Sequence, residues 1–321
     1  MDIAKTIFKA IDKVFDKRFN NSIQIEDAEK VKILSNITYS TLNPETCLLD
    51  CYYIPKNTKR KSPVILYIHG GGFVAGDKDC RKALCTWLAT QDYFVVNVNY
   101  GLCPECHFPE PLIHLVEALN WIYENAKEHK LDLTRMIAAG DSAGAYYASM
   151  LATICTNKTL QNIFNVKPKA KFGACVLNSG IYDLNKALKE KLPFDLNIKI
   201  FESYAGIGMT DFEKFELARF CSPLAFMNKR FPPTFLIYAK KDIICKGQHE
   251  FIVNKLEQLD TYFESYNSNS LLKNHCFSLE WTSKEAQRAN ELLANFLKNF
   301  AKKKLPKRQS KTDVCIREEE I

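Results

Sequence analysis

Two clusters of small and polar residues in this 321-residue chain have a spacing that suits reactive chemistry. The first is Gly140-Asp141-Ser142-Ala143-Gly144, which follows an apolar run at 136–139 and opens a helical pattern. G-x-S-x-G at a strand-to-helix junction makes a turn tight enough to strain its central residue, and small residues two positions either side keep neighbouring chains from clashing. The turn lifts a serine hydroxyl clear of the sheet, at a helix N-terminus whose dipole favours developing negative charge. A neutral serine is a poor nucleophile, so it needs a base within reach and a group to orient that base. With the partners following in the order acid, then histidine, two histidines remain downstream, His249 and His275. His249 falls in a helical pattern and is expected to face solvent. His275 lies in a loop after the last strand-like run and is the expected base. Asp242, just past the run at 234–239 and 33 positions before His275, is the expected acid, with Asp183 as its rival.

The second cluster, His69-Gly70-Gly71-Gly72, follows the apolar run at 63–68. Consecutive glycines suit a phosphate cradle, an oxyanion hole or a tight turn. A phosphate cradle wants a lysine and a hydroxyl after the glycines, whereas Phe73 and Val74 stand here. A plain turn does not require three glycines facing a serine turn 70 positions after Gly72. What remains is backbone amides brought close to a carbonyl oxygen, with His69 expected to brace the loop rather than act as base.

The elements that must position these groups alternate. Strand-like runs at 64–68, 94–98, 136–139, 172–177, 234–239 and 262–266 are separated by helical patterns at 82–90, 112–130, 143–154 and 247–259. A helix over 282–304 closes the chain, with Thr282 and Glu285 spaced as a capping box. Such alternation implies a mostly parallel sheet covered on both faces. Residues 185–230 break it and read as a helical insertion that roofs a pocket together with an N-terminal helix, whose apolar stripe runs over residues 3–19. That helix carries both charge signs on its polar side, so packing onto its own domain is expected rather than a membrane surface.

Composition bounds the class: 46% hydrophobic and 25% charged residues make a globular chain, and no apolar run approaches the ~18 residues of a membrane span. The N-terminus lacks the pattern of a signal peptide. Twelve dispersed cysteines are therefore read as reduced thiols of a cytoplasmic protein. Much of the net charge of +7 sits near the end, in Lys302-Lys303-Lys304 and Lys307-Arg308, before Glu318-Glu319-Glu320. A solvated helix end and a disordered tail over 305–321 are expected there.

Four stretches together resemble the hormone-sensitive-lipase-like family of α/β-hydrolase esterases: His69-Gly70-Gly71-Gly72-Phe73, the segment from Tyr100 to Pro109, Gly140-Asp141-Ser142-Ala143-Gly144, and the Asp242/His275 pair. They extend over residues 45–300. The resemblance implies an α/β-hydrolase fold, with a mostly parallel central sheet, helices on both faces and a helical cap. It divides the chain into an N-terminal cap segment 1–40, a catalytic domain 41–184 and 231–304, and a cap insertion 185–230. It implies Ser142, Asp242 and His275 as the catalytic groups, and amides of Gly71, Gly72 and Ala143 as the oxyanion hole, supported by His69 and Gly70. The chain departs from the family pattern at Gly101 and Cys103, where Arg and Ala are usual, at His114, where an acid is common, and at Ala145, where a glycine often follows. None of these removes a catalytic group. Cys103-Pro104-Glu105-Cys106 is also a C-x-x-C, but no second C-x-x-C supplies a metal pair and the segment does not open a thioredoxin-like helix.

The expected function is a serine carboxylesterase acting on short-chain carboxylic esters through an acyl-enzyme, with no cofactor and no metal. The alternatives are an amide or carbohydrate-ester hydrolase (a formamidase or deacetylase) and a non-catalytic ligand-binding member of the fold. The expected partner is a small-molecule ester substrate, with no nucleic acid and no stable membrane insertion; a homo-oligomer is left open.

Overall fold

The apolar runs form the interior of one sheet in the computed structural model, which describes residues 5–10, 23–56, 60–190, 192, 195–208, 215–270 and 272–306. The strands are β1 (Lys32–Thr38), β2 (Leu48–Tyr53), β3 (Ser62–Ile68), β4 (Phe94–Val98), β5 (Leu131–Asp141), β6 (Ala174–Asn178), β7 (Thr234–Ala239) and β8 (Phe263–Ser268). They lie in the order β1-β2-β4-β3-β5-β6-β7-β8. β1 pairs antiparallel with β2, and β2 antiparallel with β4; every other pairing is parallel.

The fully buried runs follow from helices covering both faces. Alternate residues of β3 divide between two cores: Val64, Leu66 and Ile68 enter one, Ile65 and Tyr67 the other. The first core is completed by α2 (Glu110–Glu124) and α3 (Ala143–Thr156), and the second by α1 (Lys82–Thr90) and α8 (Lys284–Ala301). Helix α3 is buried at every position from Ala143 to Ile154, which explains its nearly unbroken apolar composition.

Several elements differ from expectation. β1 and β2 extend the sheet beyond the six expected strands. β1 is exposed along almost its whole length, so its sequence lacks the apolar signal of the interior strands. The helix expected over 112–130 ends at Glu124, where the Asn125 side chain turns back to donate to the Trp121 carbonyl. The final helix is capped not by Thr282 with Glu285 but by Ser283, whose hydroxyl accepts the Ala286 amide at 3.2 Å. A short helix, α4 (Lys158–Ile163), was not anticipated. Over the sheet's C-terminal edge lie α5 (Leu184–Lys189) and α6 (Leu196–Ala205), and α7 (Gln248–Gln258) follows β7. Residues 1–40 contribute the helical residues 5–10 to this roof and also the edge strand β1. Most of the stripe over 3–19 and the tail beyond 306 lie outside the described residues.

Parallel pairing brings the strand ends together. Ile68 aligns with Gly140, Asp141 with Asn178, and Asn178 with Ile237. The loops that carry His69, Ser142, Asp242 and His275 therefore leave one edge of the sheet, the usual place for a site in an open α/β fold. The junction is close-packed: a Cβ on Gly140 would stand 2.5 Å from the Gly144 backbone, and one on Gly144 would collide with the Ile68 carbonyl oxygen. Gly144→Ala is therefore expected to cost about 1–3 kcal/mol by overpacking, measured by chemical denaturation. Unchanged stability would show that the strand end yields freely.

Candidate active site

Ser142 occupies the turn between β5 and α3 with φ 52° and ψ −122°. A positive φ on a serine is strained and persists only where its surroundings impose it. Here the Ser142 amide donates to the Asn178 carbonyl at 2.8 Å, and the Ser142 carbonyl accepts from the Tyr146 amide. The hydroxyl is left facing His275, with Oγ 2.8 Å from Nε2. On the other side of the ring, Nδ1 lies 2.8 Å from Asp242 Oδ2. Asp242 Oδ1 accepts the amides of Ile244 and Cys245, so the second carboxylate oxygen is the one aimed at the imidazole. An ionised carboxylate only accepts; the imidazole proton therefore sits on Nδ1 and leaves Nε2 as an acceptor for the serine hydroxyl.

Two loops hold this geometry. Asn274 Oδ1 accepts both the Ile243 amide and the His275 amide, tying the Asp242 loop to the His275 loop. Burial opposes ionisation of Asp242, but the His275 ring and the two backbone amides outweigh it and hold the carboxyl below its ordinary range. Burial likewise disfavours the charged imidazole, yet Asp242 raises His275 well above the usual histidine value. Cys245 and Cys276 flank the same ring; burial pushes Cys245 up to about 12 and Cys276 upward, so both thiols stay neutral near pH 7.

The rival groups are occupied elsewhere. Asp183 caps α5 by accepting the Lys186 amide at 3.1 Å. His249 does not face solvent as expected: its ring stacks on Tyr238 at 4.2 Å between centroids, with 18% of the side chain exposed. His69 is buried, with Nδ1 2.7 Å from the Gly70 carbonyl and its ring stacked on Tyr100, whose hydroxyl donates to the His69 carbonyl. Burial lowers its pKa. These contacts are those of a loop brace.

The glycine loop and the serine turn meet at a cavity. Gly72, Ala143 and Ser142 border it, with Phe8, Ile200 and Phe201 among the apolar side chains that close it. Its volume of about 30 Å³ suits roughly two water-sized groups, since ~10–15 Å³ holds one. Phe8 comes from the helical residues 5–10, which are tied down by an ion pair between Lys5 and Glu105. Gly72 has φ 59°, and a Cβ there would run into the Phe8 ring. The amides of Gly71, Gly72 and Ala143 take no part in the turn and loop hydrogen bonds of the described residues. Two departures from the family pattern form one contact: the Gly101 amide donates to His114 Nδ1 at 3.1 Å, and Gly101 leaves room for the ring.

Sequence reasoning missed the charges beneath the turn. Asp141 is buried and accepts from Tyr67 Oη at 2.8 Å, Arg81 Nε at 2.8 Å and Arg81 Nη2 at 2.7 Å. Burial would raise its pKa, but Arg81 and Tyr67 more than compensate and hold it low. A second buried pair, Lys78 with Asp50 at 3.1 Å, lies on the same segment after the glycine loop. The available signal was the acid inside a turn headed for burial, which requires a cation, with Lys78 and Arg81 at hand. Among the described residues, one group has the donor set for a metal ion: Asp242, Cys245 and His275, with ligating atoms within 4.8 Å of one another.

Comparison with known proteins agrees with this architecture. Residues 49–256 match the family model BD-FAE, and the chain belongs to that family. It is 41% identical over 93 residues to Esterase LipI of Mycobacterium tuberculosis, covering 29% of each chain. It is 31% identical over 128 residues to the ethyl acetate hydrolase of Pseudomonas putida, covering 39% of this chain and 40% of that one. The matched stretches span less than half the length of these curated relatives. Esterase B from Lactobacillus Rhamnosis superposes with a TM-score of 0.78 at 20% identity, over 93% of this chain and 96% of that one. The fold is thus that of the α/β-hydrolases. Among the described residues no helix is long and apolar enough to cross a membrane.

Removing Arg81 leaves Asp141 buried and unpaired, which costs about 3–5 kcal/mol in comparable pairs. Arg81→Met should show that loss in urea denaturation at neutral pH. Because the Asp141 pKa is depressed on folding, the stabilisation is complete above about pH 4 and is lost as pH falls below it. The difference between variant and wild type should therefore narrow in acid, and a constant difference would contradict the assigned charge state.

Proposed function

We propose that the protein is a serine carboxylesterase that hydrolyses short-chain carboxylic esters through an acyl-enzyme. The observation that carries this is the unbroken hydrogen-bond line from Ser142 through His275 to Asp242, presented to a small apolar cavity. His275 Nε2 takes the hydroxyl proton as Ser142 attacks the ester carbonyl, and Asp242 keeps the imidazole in the required tautomer and offsets its charge. Amides of Gly71, Gly72 and Ala143 donate to the oxyanion, where a single donor is worth about 3 kcal/mol. The imidazolium then protonates the leaving alcohol. Water, activated by the same base, releases the acid. His69 and Gly70 support the glycine loop in this scheme.

Short acyl groups are favoured by the size of the cavity, and an apolar lining suits an uncharged ester. Two relatives matched over part of the chain are named Esterase LipI and ethyl acetate hydrolase, which supports an ester as the substrate. The eleven described cysteines are in the thiol form and mostly buried, which suits a reducing compartment such as the cytoplasm.

Ser142→Ala and His275→Ala are each expected to lower kcat for p-nitrophenyl acetate and butyrate by roughly 10⁶-fold, as losses of members of one unit do. Turnover persisting near wild type in either variant would end the proposal. Because the base must be neutral, kcat/KM should fall with decreasing pH through an apparent pKa above 6.5. Asp242→Asn should lower kcat by about 10⁴ and move that limb to lower pH. A limb that stays in place would separate it from His275. Acetyl-sugar and formyl-amide substrates assayed in parallel should turn over less well than simple acyl esters.

A further inference from the structure

The His275 ring makes contacts that ester hydrolysis does not use. Cys245 lies three residues after Asp242, and its amide already donates to the Asp242 carboxylate at 2.8 Å. The sulfur, the carboxylate oxygen and an imidazole nitrogen stand within 4.8 Å of one another. Of the two ring nitrogens, Nδ1 is the one beside Asp242, because Nε2 faces Ser142. A cavity of about 10 Å³ has both Asp242 and Cys245 on its wall, room for about one water.

We propose that Asp242, Cys245 and His275 form an inhibitory site for a borderline-soft divalent cation of the zinc type. Mixed sulfur, nitrogen and oxygen donors suit Zn²⁺, whereas magnesium and calcium want oxygen alone. With Zn–S near 2.3 Å and Zn–N or Zn–O near 2.1 Å, tetrahedral ligands lie about 3.3–3.6 Å apart. The three donor atoms, within 4.8 Å of one another, therefore close on an ion by drawing together by up to about 1.5 Å. Water in the adjoining cavity supplies a fourth ligand.

Proton balance explains why binding would inhibit. The ion takes the Nδ1 lone pair, so the proton now on Nδ1 moves to Nε2, and the Cys245 thiol gives its proton to solvent as the thiolate binds. Nε2 then carries a hydrogen and cannot accept the Ser142 proton. No residue is oxidised and no covalent bond is broken other than these N–H and S–H bonds. The inhibitory step rests on His275 being the base of the proposed esterase; the binding step does not.

The test has two arms. In the first, ester hydrolysis by chelator-stripped protein is titrated with Zn²⁺ and then with EDTA. Wild type and Cys276→Ala should be inhibited at the same concentration and recover fully with EDTA, while Cys245→Ala should need at least tenfold more Zn²⁺. Equal inhibition of wild type and Cys245→Ala would overturn the proposal. In the second, Ser142→Ala competes with a chromogenic chelator for Zn²⁺, with no turnover required. One equivalent bound per chain, lost in Ser142→Ala with Cys245→Ala, is the expected result. An equal stoichiometry in both proteins would overturn it. Zinc bound in this arm, together with a wild type that hydrolyses no ester, would support the site while refuting the esterase reading.

Discussion

The Ile68 carbonyl and the Gly144 backbone approach so closely that no side chain fits between them, and much of the site follows from that contact. It packs the end of β3 directly against the start of α3, so the glycine loop and the serine turn are positioned against each other. The glycine at position 140 closes the same junction from the β5 side. With both backbones locked, Ser142 has little alternative to its strained φ, and its hydroxyl is presented rather than packed. Preorganisation of this kind is what lets amides act on a developing charge without reorganising.

Charge burial beneath the turn carries the second constraint. Asp141 has no solvent to stabilise it, yet Arg81 and Tyr67 satisfy its oxygens from below while Ser142 projects above. The Lys78–Asp50 pair anchors the preceding residues of the same segment to β2. Buried pairs are weak sources of net stability but costly to break. Their effect here is to fix the segment after the glycine loop to the strands that flank it. The upper side of the site is held differently, by Asn274 joining the two loops and by Phe8 lying against Gly72. A rigid floor and a roof made of separate helices divide the labour between positioning the reacting groups and shaping the cavity.

The interior strands were legible because parallel strands buried on both faces read as continuous apolar runs. β1 was not, since its residues face solvent and it is held by pairing with β2 rather than by burial. Asp242 and His275 were expected from order and spacing, and in the structure they stand in one hydrogen-bond line with Ser142. His249 was misread because a helical position says nothing of the Tyr238 ring waiting on the neighbouring strand. The cap shifted by one position, from Thr282 to Ser283, because adjacent hydroxyl residues give nearly the same local signal. Arg81 and Cys245 were hard to single out for a common reason: each matters through a partner distant in sequence or through the packing of a loop, and for Arg81 the only signal was the buried acid that needs a cation.

The proposed chemistry depends on His275 activating the hydroxyl of Ser142, which chemical labelling reads without assuming any substrate. Purified protein treated with a fluorophosphonate should gain one adduct, mapped by peptide mass spectrometry to Ser142, and His275→Ala should label far more slowly. Absence of an adduct, an adduct on another residue, or equally fast labelling without His275 would contradict it.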